Sequence, residues 1–379
     1  MERLKLVLFA ALIFGGCQKA YQHRQEAAKK EKALALELID KKEWKQAERH
    51  LEKASKEDPW DADIWHNLGV CYAEGLNRPQ WARDMFKKAL ELNPGHALAH
   101  YGMGLLEWEK NWNLANASFV AAYKLDPVSV GPIENYYLQH ALAGYFLSSG
   151  YFYREVAARD IIARIYPDWV EKQLDLGDAL VRAGQYALAV EVYQRVIAGK
   201  DKEKAKEAPY IGLAWALMNM NDLNAAAKAL EQAWKINHKN GLLRYYAGLL
   251  ARRTGDRESA LNHLNVAAIG LKDGRGLIAL ADLHLEMGHH RAAEEYLDLA
   301  DRRYADDPMT QYELMLFYER QGNGEEALRH GERAAKANAG NWRYACALQG
   351  LLIRLGHSGD EWTDVFEACR LLRPLGESL

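Results

Sequence analysis

The feature that most limits what this chain can become is its self-similarity. The segment "IWHNLGVCY" at 64–72 is echoed by "QLDLGDALVRAGQY" at 173–186 and by "RYYAGLLARRTGD" at 244–256. Ala226 and Ala260 mark one period of 34 residues (260 − 226). Between such echoes apolar residues recur at three and four positions, the helical period, and no stretch sustains the alternation of a strand. A short helical unit cannot bury its apolar face alone, so a chain of such units must stack them into a solenoid.

The second unit carries the pattern most fully. Trp65, Leu68, Gly69 and Tyr72 stand at the spacing W-x-x-L-G-x-x-Y, and Ala82, Phe86, Ala89 and Pro94 fall in the following helix and its end. Gly69 and Ala82 let two antiparallel helices approach, Tyr72 and Phe86 fill the space around the contact, and Pro94 cannot continue a helix. The marks return at Met103, Gly104 and Phe119; at Leu176, Gly177 and Tyr193; at Ala247, Gly248 and Leu264; and at Leu280, Ala281 and Leu297. One later unit has Gly331 where the large residue belongs. Six of the nine prolines (Pro59, Pro94, Pro127, Pro167, Pro308 and Pro374) lie at or beside unit boundaries. This pattern resembles the tetratricopeptide repeat over residues 28–374. The resemblance implies an all-α superhelical solenoid of about nine to ten helix-turn-helix repeats, followed by a short tail at 375–379. Two places break the period. Residues 128–168 form a longer, tyrosine-rich unit, expected still to be a helix pair, and "GKDKEKAK" at 199–206 reads as a charged, solvated insertion. Two short superhelices, about 28–127 and 169–374, joined through the tyrosine-rich pair, and one continuous solenoid are equally compatible with this.

The N-terminus adds a second signal. Arg3 and Lys5 precede an apolar run from Leu6 to Phe14, followed by Gly15, Gly16 and Cys17. The run is too short to span a bilayer, which takes about 20 apolar residues. A charged start, a short apolar middle and small residues describe an export signal. Phe14-Gly15-Gly16-Cys17 resembles the lipobox of bacterial lipoproteins, with Phe14 where an aliphatic residue is usual. That resemblance implies a signal peptide at 1–16, lipidation of Cys17 and a short linker at 17–27. A plain cleaved signal and an uncleaved short anchor are the alternatives. With Gln18 after the cysteine, the sorting rule of such lipoproteins implies the outer membrane, facing the periplasm.

Composition narrows the partner. The formal net charge is −3 over 379 residues, with no polybasic block, which argues against nucleic acid. Of the four cysteines, Cys17, Cys71, Cys346 and Cys369, no pair has the C-x-x-C spacing of a zinc or thioredoxin-type site. A Cys346–Cys369 bridge is open in an oxidising compartment; small buried thiols are the plainer reading. No nucleophile elbow, zinc-protease motif or phosphate loop is present, and "GMGLLE" at 102–107 lies inside a repeat helix. His284, His289 and His290 are the densest histidine group, with Gly288 between the first and the others. Surface histidines at a turn are the expectation, with no metal, no cofactor and no enzyme activity.

In the family that this chain resembles, the first helix of each repeat lines the concave face. That register assigns Tyr101, Leu105 and Trp108 to the face in the third unit. It adds Trp215 and Met218, then Tyr245, Leu249, Arg252 and Arg253, and then Tyr312, Leu316 and Arg320. Aromatic residues and arginine are the types in which binding energy concentrates, although aromatics at helical spacing are also ordinary core. Some family members clamp a C-terminal carboxylate with Lys and Asn on these helices; Lys32, Leu36, His66, Val70 and Tyr101 stand at the comparable places, which does not support that mode. The resemblance implies a non-enzymatic scaffold, lipid-anchored at the cell envelope and engaging protein partners there. It is similar to lipoproteins that help assemble pili, secretion pores or exopolysaccharide export machines. A glycan- or peptidoglycan-associated binder is the alternative, and a cytosolic adaptor would require the N-terminal signal to be false.

Overall fold

The computed structural model describes residues 2–357 and 362–373, with side chains from Tyr21 onward apart from Lys202. The side chain of Cys17, Pro374 and the tail at 375–379 lie outside the described residues. The chain divides into two compact units, Met1–Leu142 and Ala143–Leu379. Unit 1 contains α1 (Glu2–Asp40), α2 (Trp44–Glu57), α3 (Ala62–Val70, continued by a π-turn at Cys71–Gly75), α4 (Pro79–Leu92), α5 (Ala97–Glu107), α6 (Trp112–Leu125) and the short α7 (Pro127–Val130). The division falls inside α8 (Tyr136–Ser149), the first helix of the tyrosine-rich unit. Unit 2 continues with α9 (Phe152–Ile165), α10 (Val170–Arg182), α11 (Tyr186–Ala198), the short α12 (Lys202–Ala205), α13 (Ala208–Asn219), α14 (Leu223–Asn237), α15 (Gly241–Thr254) and α16 (Arg257–Gly270). It ends with α17 (Arg275–Glu286), α18 (His290–Arg303), α19 (Pro308–Arg320), α20 (Gly324–Ala337), α21 (Trp342–Arg354) and α22 (Thr363–Leu372). Among the described residues there is no strand.

The helix boundaries follow from local chemistry. Asp222, Asp256, Asp307 and Asn323 each accept a backbone N–H with the side chain at the start of a second or first helix, satisfying donors that the helix leaves free. At the α15–α16 turn, Gly255 sits at φ 85°, the left-handed conformation that glycine adopts without a Cβ penalty. Pro127 and Pro308, expected beside unit boundaries, stand in the first turn of α7 and α19, where the missing N–H costs nothing. The stretch 17–27, expected as a linker, is helical: from Gln18 to Lys30 there is no Gly or Pro and many strong helix formers. The insertion at 199–206 is likewise not wholly solvated, because Ala205 of α12 is buried.

The packing within and between hairpins turns on one contact. The Phe86 ring of α4 lies against Gly69 of α3 and Gly102 of α5: a Cβ on either glycine would stand 2.5–2.6 Å from ring carbons. Tyr193 of α11 repeats this between Gly177 of α10 and Gly212 of α13, and its hydroxyl donates to Asp178 Oδ1 at 2.6 Å. A large side chain on one second helix therefore wedges between the first helices of its own and the next hairpin. Where the large residue is missing at Gly331, Met315 of α19 and Leu348 of α21 fill the slot from the other side. The slot is thus filled from the first helices instead of the second, a redistribution of apolar volume of the kind that cores tolerate.

Unit 2 closes on itself. The turn between α8 and α9 receives the end of α20 and the start of α21. Asn338 Nδ2 donates to the Ser148 carbonyl at 3.0 Å, and Trp342 Nε1 and Arg343 Nε donate to the Gly150 carbonyl at 3.0 and 3.2 Å. The Arg343 guanidinium lies 4.4 Å from the centre of the Phe152 ring, and the Tyr151 hydroxyl donates to the Leu372 carbonyl at 2.6 Å. Trp342 is wholly buried in this joint, packed with Tyr151, Cys346 and Cys369. Cys346 and Cys369 form a disulfide, with Cα atoms 4.7 Å apart, which ties α22 to α21; Cys71 is a free buried thiol.

Gly177→Leu tests the wedge. The Cβ alone would meet the Tyr193 ring at 2.6 Å, and overpacking of this kind costs roughly 1–3 kcal/mol. Chemical denaturation should show that loss; an unchanged midpoint would show that the ring does not depend on the glycine.

Candidate functional site

First helices of successive hairpins touch one another, α10 with α13, α13 with α15, α15 with α17 and α17 with α19, while contacts between successive second helices are sparser. The first helices therefore lie on the inner side of the curve, and their free faces form a continuous inner surface in unit 2. Two rows of side chains cross it.

The first row is charged and ties the helices together. Arg253 Nη1 donates to the Met218 carbonyl at 2.8 Å, from α15 back to α13. Arg252 pairs forward with Asp282 at 3.3 Å and Glu286 at 2.5 Å on α17, and Arg320 of α19 reaches Asp282 at 3.4 Å. Glu319 pairs in turn with Arg354 of α21. The three arginines assigned to a partner thus hold neighbouring helices.

The second row is aromatic. Trp215 stacks on Tyr246 with ring centres 4.8 Å apart. The Arg275 guanidinium lies 5.7 Å from the centre of the Tyr245 ring, held there by Asp273 at 2.9 Å. Tyr312 and Tyr344 approach to 5.2 Å. Trp215, Tyr245, Leu249, Tyr312 and Leu316 are each half-buried, one side on the core and one side open. Burial pushes the Tyr246 and Tyr344 phenols up to about 12, so they remain neutral hydroxyls. Burial also raises the Glu313 carboxyl, against the opposing effect of Arg320 and Arg275. Sequence reasoning missed Arg275, Glu313, Tyr246 and Tyr344; Arg275 opens α17, about one helical turn before the place in that helix that matches Tyr245 one period on.

Met218 is a correction. It is 1% exposed and belongs to the core of α13 and its neighbours; what it offers Arg253 is its backbone carbonyl. In unit 1, Tyr101 and Leu105 on α5 and Trp108 at its C-terminal cap are half-buried. Trp108 stacks on Tyr137 with ring centres 3.7 Å apart, and Tyr101 packs 5.9 Å from the Phe119 ring. Burial lifts the Tyr101 phenol to about 12. The turn at Gly288 brings His284 and His289 together, Nδ1 to Nδ1 at 3.4 Å. Among the described residues no group of three or more His, Cys, Asp or Glu is disposed to hold a metal ion.

The core assignment has a direct check. Met218→Ala should cost about 2–5 kcal/mol in an unfolding titration, as large-to-small core substitutions do. An unchanged midpoint would return Met218 to the inner face.

Comparison with known proteins agrees with this architecture. Models described as tetratricopeptide repeat match residues 62–96, 173–199, 209–240 and 278–341. A TPR repeat-containing protein of Methanocaldococcus jannaschii is 26% identical over 131 residues, 35% of this chain and 22% of that protein. Human Superkiller complex protein 3 is 37% identical over 83 residues, 22% of this chain and 5% of that protein. The chain thus spans less than a quarter of the length of either relative. The crystal structure of yeast Tom70 superposes with a TM-score of 0.46 at 14% identity, over 92% of this chain and 85% of that one. The repeat matches fall on the hairpins described above, and the chain is a tetratricopeptide repeat protein.

Proposed function

We propose that this chain is a non-enzymatic scaffold that holds a segment of a partner protein along the inner face of unit 2, tethered through Cys17 at the bacterial cell envelope. The observation that carries the reading is the row of half-buried aromatics, Trp215, Tyr245 and Tyr312. Such side chains offer large, rigid contact area at little entropic cost, and tetratricopeptide repeat folds use this face for protein partners. The charged row beside it is internally paired, so affinity comes from the aromatic row and selectivity from its polar margin, Arg275 and Glu313. The Cys346–Cys369 disulfide supports a compartment outside the cytosol, where such bonds persist. Among the described residues no helix is long and apolar enough to cross a membrane, and a lipid on Cys17 supplies attachment without one. Within the envelope, the role is assembly of a larger machine: a pilus, a secretion pore or a polysaccharide exporter.

Crosslinking in cells followed by mass spectrometry tests both halves. Tyr245→Ala combined with Tyr312→Ala should remove a specific captured protein while the chain stays folded. Cys17→Ser should leave an unprocessed precursor or release the protein from the membrane fraction. The same captured proteins in the double variant would defeat the inner-face assignment; unchanged migration and membrane association of Cys17→Ser would defeat the anchor.

A further inference from the structure

We propose that the edge of unit 1 formed by the α2–α3, α4–α5 and α6–α7 turns rests on a lipid bilayer, with Trp60 at the membrane interface. The inference builds on the reading of an N-terminal anchor and adds which surface the anchor holds against the membrane.

The argument starts from where α1 leaves the unit. α1 and α2 form an antiparallel hairpin, and Arg24 marks the level at which α1 passes the end of α2. Its Nε donates to Glu57 Oε2 at 3.1 Å and its Nη2 to the Lys56 carbonyl at 2.7 Å. Residues upstream of Arg24 therefore project past the α2–α3 turn. At a rise of about 1.5 Å per residue, Cys17 lies about 10 Å further along the helix. A bilayer that receives an acyl chain on Cys17 thus comes within about 10 Å of this edge, and no other edge of the unit is so close to it.

The edge is furnished for that neighbour. Trp60 is 71% exposed and Val128 81% exposed, and Leu125 and Tyr21 are about half exposed. These groups share one continuous border. His96 of the α4–α5 turn reaches Asp63 Oδ1 beside Trp60 at 3.1 Å, and Leu125 Cδ2 lies 3.9 Å from where a Cβ on Gly95 would stand. Exposed apolar residues scattered singly need no explanation, but a row along the border from which an anchor departs does. Tryptophan and tyrosine suit a membrane interface because an apolar ring carries a polar N–H or O–H. Two basic residues near this border are paired, Arg24 with Glu57 and Lys32 with Asp61 and Asp63. The contact proposed is apolar and interfacial and not an attraction to anionic lipid, so a zwitterionic bilayer is the surface to test.

The test uses the full chain reconstituted in phosphatidylcholine vesicles with and without brominated acyl chains, which quench tryptophan on contact within the bilayer. Trp81, 56% exposed at the opposite end of the hairpins, is the internal control. Trp60→Phe should remove most of the bromolipid quenching seen in the parent, and Trp81→Phe should leave it unchanged. Equal quenching in the parent and Trp60→Phe overturns the proposal, as does an equal loss in Trp81→Phe. Flotation reports the anchor separately. If the parent does not float with vesicles, the anchor reading fails, and the same comparison is made on the Cys17→Ser chain held to nickel-chelating lipid by an added N-terminal histidine tag. Quenching of Trp60 there upholds the surface without the anchor, and its absence overturns the surface as well. Loss of a captured protein in Trp60→Ser, with no lipid quenching in the parent, makes this edge a protein-docking surface and likewise overturns the lipid assignment.

Discussion

The structure depends on one steric relation: a large side chain on a second helix seated against small residues on two successive first helices. Phe86 between Gly69 and Gly102, and Tyr193 between Gly177 and Gly212, show it most plainly. The wedge fixes both the spacing within a hairpin and the step to the next, so one local rule sets a long-range curve. In unit 2 the stack of hairpins brings the last hairpin back to the first turn. There Trp342 and Arg343 donate to the Gly150 carbonyl. Close packing tolerates little variation in volume, and the Met315–Gly331 exchange shows how the step survives a departure from the rule: the knob changes sides and the space stays filled.

The same geometry decides what the inner face can offer. Its arginines are engaged in struts between neighbouring helices, so they contribute rigidity and little free charge. Its aromatics are held by stacking on one side and open on the other, as Trp215 on Tyr246 shows. A pre-stacked ring pays little entropy when a partner covers its second face. Closure of unit 2 and the Cys346–Cys369 tie act in the same direction, because they hold the helices at fixed separations before any partner arrives.

Much of this was legible in the residues. Gly69, Tyr72, Ala82 and Phe86 carry the hairpin in their spacing, since small and large positions at helical period have few other uses. Register alone assigns Tyr245 and Tyr312 to the inner face, and both are half-buried on first helices. It misassigns Met218: one position of register separates a groove residue from a core residue, and the Arg253 strut on its carbonyl is a tertiary fact. The closure was also invisible, because Ser148 and Asn338 are 190 residues apart and nothing local announces their meeting. Cysteine counting left the Cys346–Cys369 pair open, since proximity and not number decides it. The tyrosine-rich unit kept its helix pair, as expected, and its departures from the repeat pattern coincide with the boundary between the two units.

The central claim is that the two ends of unit 2 meet and that the joint is part of the fold. Amide hydrogen exchange on Trp342→Ala tests it most directly. The account predicts faster exchange at residues 148–152, far from the substitution in sequence, because the carbonyls that receive Trp342, Arg343 and Asn338 lie there. Loosening confined to α21 and α22, with exchange at 148–152 unchanged, would contradict it.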